Sequence, residues 1–164
     1  MNDELQKLIE SLREELRQYG QMLALLEDQQ AGIIQRHNEE LLDATSAVDQ
    51  QAACLQAVRR ERDQARLNLA RALQAGDDAP LAELASLIPA DYRPLLGALT
   101  QENNHLLQRI QQRARQNHVL LRRSLEILEG FLSAFSPGRA PVYDGGGSLQ
   151  PGAERPAALY EAIG

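Results

Sequence analysis

The chain of 164 residues has no tryptophan, two phenylalanines and a single cysteine. One thiol excludes an internal disulfide and any zinc site built from cysteine sets. Cys54 lies among alanine and leucine and reads as a small core residue. β-branched residues are scarce, which argues against sheets. No apolar run approaches the length of a membrane span. The start, MNDELQK, is acidic and amphipathic, which is not the pattern of a secretory leader, so a cytoplasmic location is expected.

Catalytic signatures are equally absent. There is no nucleophile elbow, phosphate loop or dinucleotide-binding glycine pattern. Gly145, Gly146 and Gly147 lack the Lys-Ser/Thr pair and preceding strand that a phosphate loop needs. Glu102 and His105 match one Glu-x-x-His element of di-iron bundles, which require a second copy. The positions three before His37 and His118 are Ile34 and Arg115, so no second copy exists. No metal, cofactor or enzymatic activity is expected.

What is present is Leu, Ala, Gln, Glu and Arg, with hydrophobic residues at 43% and charged residues at 24%. That mixture favours helices and predicts an all-α chain. A net charge of −6 makes nucleic acid a poor partner. The charge is uneven: residues 1–50 hold eleven acids and four bases, and residues 51–123 hold eleven bases and seven acids. Complementary helices in one bundle explain this, with a basic patch at Arg109, Arg113, Arg115, Arg122 and Arg123 as the alternative.

The first helix is expected over residues 3–35. Leu5, Leu12, Tyr19, Leu26 and Ile33 repeat every seven residues, and Ile9, Leu16 and Leu23 add a second seam. A turn at 35–38 fits better than one continuous helix, with Asn38 as cap and Glu39 and Glu40 in the next first turn. The second helix is expected over 39–74, where Leu41, Val48, Leu55 and Leu69 carry the heptad and Arg62 interrupts it. Arg59, Arg60, Glu61, Arg62, Asp63 and Arg66 read as a solvated face. Gly76 is a natural stop. The connection 76–91 holds a short helical turn through Leu81, Leu84 and Leu87. Asp91 is placed to cap a third long helix over 92–135. Residues 136–164, rich in Pro and Gly, read as a flexible tail. The expected architecture is an elongated, coiled-coil-like antiparallel bundle of three long helices, comprising residues 1–135, followed by that tail.

The third helix carries the candidate site. At 100° per residue, Leu96, Leu99, Leu106, Leu107, Ile110, Ala114, Leu121, Leu125, Leu128, Leu132 and Phe135 share one side. Leu120, Ile127 and Phe131 widen that face near its end. A broad face suits a helix with two neighbours, but any part left uncovered would receive another chain. Asn103 and Asn117 sit inside the apolar arc, fourteen positions apart. Buried asparagine fixes register in coiled coils, and an amide could also serve a partner's backbone.

Three stretches resemble the FlgN family of bacterial flagellar export chaperones. Leu23–Ala44 is similar to the family's Leu/Glu-rich hairpin. Arg115–Leu132 is similar to its Asn-Gly-x-Leu-Leu segment, matching at Asn117, Leu120 and Leu121. Tyr143 and Gly147 resemble a Tyr-x-x-x-Gly that follows the last helix. The likeness implies a cytoplasmic chaperone that binds the C-terminal helical segments of hook–filament junction proteins. It would prevent their premature assembly and escort them to the flagellar type III export apparatus. The residues expected to touch that partner are Asn117, Leu120, Leu121, Ile127, Leu128, Phe131, Leu132 and Phe135, with Tyr143 closing over it from the tail. A self-associating coiled-coil scaffold, including a homodimer, is the alternative.

Overall fold

A computed structural model describes residues 1–135, with side chains through Leu132. The expectations for the tail and Tyr143, and for the side chain of Phe135, lie outside the described residues. Every regular element among the described residues is helical: α1 (Asn2–Gln35), α2 (Asn38–Ala72), α3 (Leu81–Leu87), a 3-10 turn (Ala90–Tyr92) and α4 (Arg93–Phe135). The chain divides into two compact units, Met1–Leu121 and Arg122–Gly164, and α4 contributes to both.

Within the first unit the heptad leucines do what their spacing dictates. Leu5, Leu12, Tyr19, Leu26 and Ile33 are all buried. Leu5, Leu8, Ile9 and Leu12 of α1 pack with Ala65 and Leu69 of α2, with Ile88, and with Leu96 and Leu99 of α4. Each such side chain contributes about 1.5–3 kcal/mol when fully buried. A second cluster joins Tyr19, Met22, Leu26 and Leu55, with Leu106, Leu107 and Ile110 partly buried against it.

Cross-helix hydrogen bonds fix the directions. Gln51 of α2 reaches Gln18 and Gln29 reaches Thr45, so α1 and α2 are antiparallel. Asn103 reaches Leu12 and Asn117 reaches Leu26, both separated by 91 residues. A constant offset over two heptads means that α4 runs parallel to α1 in one register.

The helix ends differ from expectation in three places. Asn38 is the first residue of α2 and His37 is its N-cap, with a ring nitrogen 3.1 Å from Glu40. The left-handed positions that stop α1 and α2 are Arg36 and Gln74, not glycines. Both are followed by a 6→1 bond, His37 N–H to Gly32 O and Ala75 N–H to Ala70 O, which satisfies carbonyls otherwise left open. α2 therefore ends before Gly76. Asp91 lies within the 3-10 turn rather than capping α4.

Arginines tie the connection down. Arg66 donates to Asp77 O and Ala79 O, and Arg93 donates to Ile88 O and Ser86 O. Leu84 is fully buried with Ala70 and Ala79. Cys54, expected in the core, is exposed.

Candidate functional site

In the first unit the face of α4 is covered except at Ala114, which is exposed. Leu96 and Leu99 are buried, Leu106, Leu107 and Ile110 half-buried, Asn117 buried, and Leu120 and Leu121 half-buried. In the second unit the apolar side chains of α4 meet solvent. Leu125, Ile127, Leu128, Phe131 and Leu132 are each between 56% and 67% exposed, as is Val119 just before them. Exposed large apolar side chains elsewhere among the described residues are scattered singly, at Met1, Ile34, Leu42, Leu87 and Tyr92. Scattered residues are ordinary, whereas a contiguous strip marks an interaction surface. The charges on this segment are close to the strip: Arg122 and Glu126 pair at 3.3 Å, one turn apart, in solvent.

The two asparagines are buried within the chain's own packing. The Asn117 Nδ2 donates to Leu26 O at 2.7 Å and to Gln29 Oε1 at 3.0 Å. Gln29 donates onward to Thr45 Oγ1 at 3.1 Å, and Thr45 donates to Leu41 O at 2.8 Å. One hydrogen-bond chain thus runs from α4 through α1 to α2. Arg113 adds a nearby tie, donating to Gln30 and lying 3.5 Å from Glu27. Asn103 makes the matching contact at Leu12 O, 3.1 Å.

A polar layer surrounds Asn103. Glu15 is 1% exposed and accepts from the Tyr19 hydroxyl at 2.8 Å. Arg59 donates to that hydroxyl at 2.9 and 2.8 Å, and Arg62 lies 3.5 Å from Glu15 Oε2. Burial pushes the Tyr19 phenol above its ordinary range, the bond to Glu15 adds to this, and Arg59 opposes it. Two of the arginines expected on a solvated face, Arg59 and Arg62, are therefore partners of a buried carboxylate. The signal was present as a second seven-residue series on α1, Leu8, Glu15, Met22 and Gln29, apolar and polar in alternation. Arg62 breaks the α2 heptad in the region where Glu15 breaks that of α1.

Glu102 and His105 are exposed, and no group of His, Cys, Asp or Glu among the described residues could hold a metal ion. No described helix is long and apolar enough to cross a membrane.

The family model described as FlgN protein matches residues 1–151. No curated protein and no solved structure matches the chain. Proteins of that family are chaperones of flagellar biogenesis without enzymatic activity, consistent with a sequence that carries no catalytic motif. With a match that takes in every helix of the described residues, this chain belongs to the FlgN family of flagellar export chaperones.

Proposed function

We propose that this chaperone acts in the cytoplasm on hook–filament junction proteins, and that it holds their C-terminal helical segments on the apolar strip of α4. The observation that carries the reading is the exposure of Leu125, Ile127, Leu128, Phe131 and Leu132 on one short stretch. An amphipathic helix laid on such a strip buries apolar surface on both partners. Covering the exposed halves of these five side chains contributes on the order of 1 kcal/mol each. The partner's own apolar face contributes a similar amount, against an association cost of about 4–15 kcal/mol. At the lower end of that cost about 6 kcal/mol remains, which describes a weak complex that releases its client readily.

Ile127, Leu128, Phe131 and Leu132 are the principal contacts in this proposal, with Phe135 next on the same helix. Leu120 and Leu121 are half-buried and supply the edge. Asn117 acts by holding α4 in register on α1, and Tyr143 closes over the client from the C-terminal segment. A pull-down with a hook–filament junction protein tests the assignment: the wild-type chain retains the client, and a folded Phe131→Asp variant loses most of it. Undiminished retention by that variant removes the site. Light scattering showing a concentration-dependent oligomer and no client complex would favour the self-associating scaffold.

A further inference from the structure

The polar side chains of the first unit repeat after fourteen residues. Gln29, Thr45 and Asn117 form one set, and Glu15, Arg59 and Asn103 stand at the corresponding positions fourteen residues away on each helix. The first set is linked from helix to helix, the Gln29 carboxamide accepting from Asn117 and donating to Thr45, and it leaves one buried atom, Asn117 Oδ1, without a partner. The second leaves three. It lines a cavity of about 410 Å³ together with Tyr19, Arg62 and Thr100. Exposed Asp63 and Asn104 also line it, so the cavity reaches the surface.

Three buried polar atoms at this cavity have no hydrogen-bond partner: Glu15 Oε2, Asn103 Oδ1 and Arg62 Nε. Glu15 and Asn103 are each more than nine-tenths buried. Arg62 Nε lies 3.0 Å from Asp63 Oδ1 without hydrogen-bonding direction. Two of the three atoms accept and one donates. The four charged side chains, Glu15, Asp63, Arg59 and Arg62, cancel, so the fitting occupant is neutral. A neutral group with two N–H donors and one acceptor oxygen is a primary carboxamide. In the other layer the position of Glu15 is itself held by a carboxamide, that of Gln29.

We propose that the cavity between Glu15, Arg62 and Asn103 is a binding site for a primary carboxamide, supplied by an asparagine or glutamine side chain of a partner or by a small free amide. The NH₂ group donates to Glu15 and Asn103, and the carbonyl accepts from Arg62. The site belongs to the first unit and stands independently of the apolar strip.

Acetamide is the probe, added to the full-length ¹⁵N-labelled chain and followed by NMR at the Asn103 side-chain NH₂. The expected result is a saturable shift, weakened about tenfold or more with N,N-dimethylacetamide, which has the same carbonyl and no N–H. Acetate, an anion of similar shape, is expected to bind no better. Glu15→Gln places a carboxamide in the cavity as Gln29 does in the other layer, and it is expected to abolish the shift. N-acetylglutamine methylamide distinguishes the sources: tighter binding than acetamide assigns the site to a polypeptide side chain, and equal binding to a free amide. Identical, non-saturating responses to acetamide and dimethylacetamide would overturn the proposal and leave the cavity to water. The comparison of probes on the wild-type chain decides the matter even if a variant fails to fold.

Discussion

Replacing Asn117 by alanine removes the α4 end of a hydrogen-bond chain that crosses three helices. Two donated bonds are lost, each contributing about 0.5–1.5 kcal/mol net. The Gln29 carbonyl, on a residue only 7% exposed, is left without that donor. A buried acceptor in that condition costs about 1–3 kcal/mol. One effect opposes these: the Asn117 Oδ1 has no partner in the native chain, and its removal recovers a similar amount. The balance is a loss of about 2 kcal/mol. At a urea slope of about 2 kcal/mol/M the midpoint then falls by about 1 M. Urea unfolding followed by circular dichroism measures this directly. Pairing Asn117→Ala with Gln29→Ala in a double-mutant cycle isolates the contact, with an expected coupling of about 1 kcal/mol. An unchanged midpoint, or independent single effects, would refute the view that this chain ties α4 to the hairpin.

Two further outcomes follow from the same structure. Gly20→Ala is expected to stabilise the protein by about 0.5–1 kcal/mol through helix propensity, because an added Cβ meets nothing within 4 Å. Gly32→Ala should gain less or lose, because its Cβ would sit 3.3 Å from the Leu41 Cα across the hairpin; thermal melts of the two variants make the comparison. The hydrogen bonds from Arg17 and then Gln18 to Glu14 hold its carboxyl at about 2, below its ordinary value of 4.5. A depressed carboxylate favours the fold above its ordinary pKa and loses that contribution as pH falls through the lowered value. NMR titration of the Glu14 carboxyl should find a midpoint near 2, and one above 4 would contradict the pairing.

The heptads made much of the fold legible. Leu5, Leu12, Tyr19, Leu26 and Ile33 announced both a helix and its buried face. Asn103 and Asn117 were legible as register residues because a fourteen-residue spacing returns to one face of a helix. The capping residues were not legible, because Arg36 and Gln74 adopt a left-handed backbone usually reserved for glycine. Nothing local in the sequence marks them. The burial of Glu15 was missed because its partners come from another helix, and a carboxylate alone reads as solvent-facing. Arg59 and Arg62 of α2 were misread for the same reason. In the candidate strip the apolar face of α4 was legible from its spacing, but the burial of each side chain on it was not, because burial is a tertiary property rather than a local one.

Photo-crosslinking tests the central claim most directly. A benzoylphenylalanine placed at Leu128 in the full-length chain should crosslink to the C-terminal segment of a bound hook–filament junction protein. The same group at exposed Gln6 on α1 should not. Crosslinks from position 6 with none from 128, in a chain that still binds its client, would contradict the account.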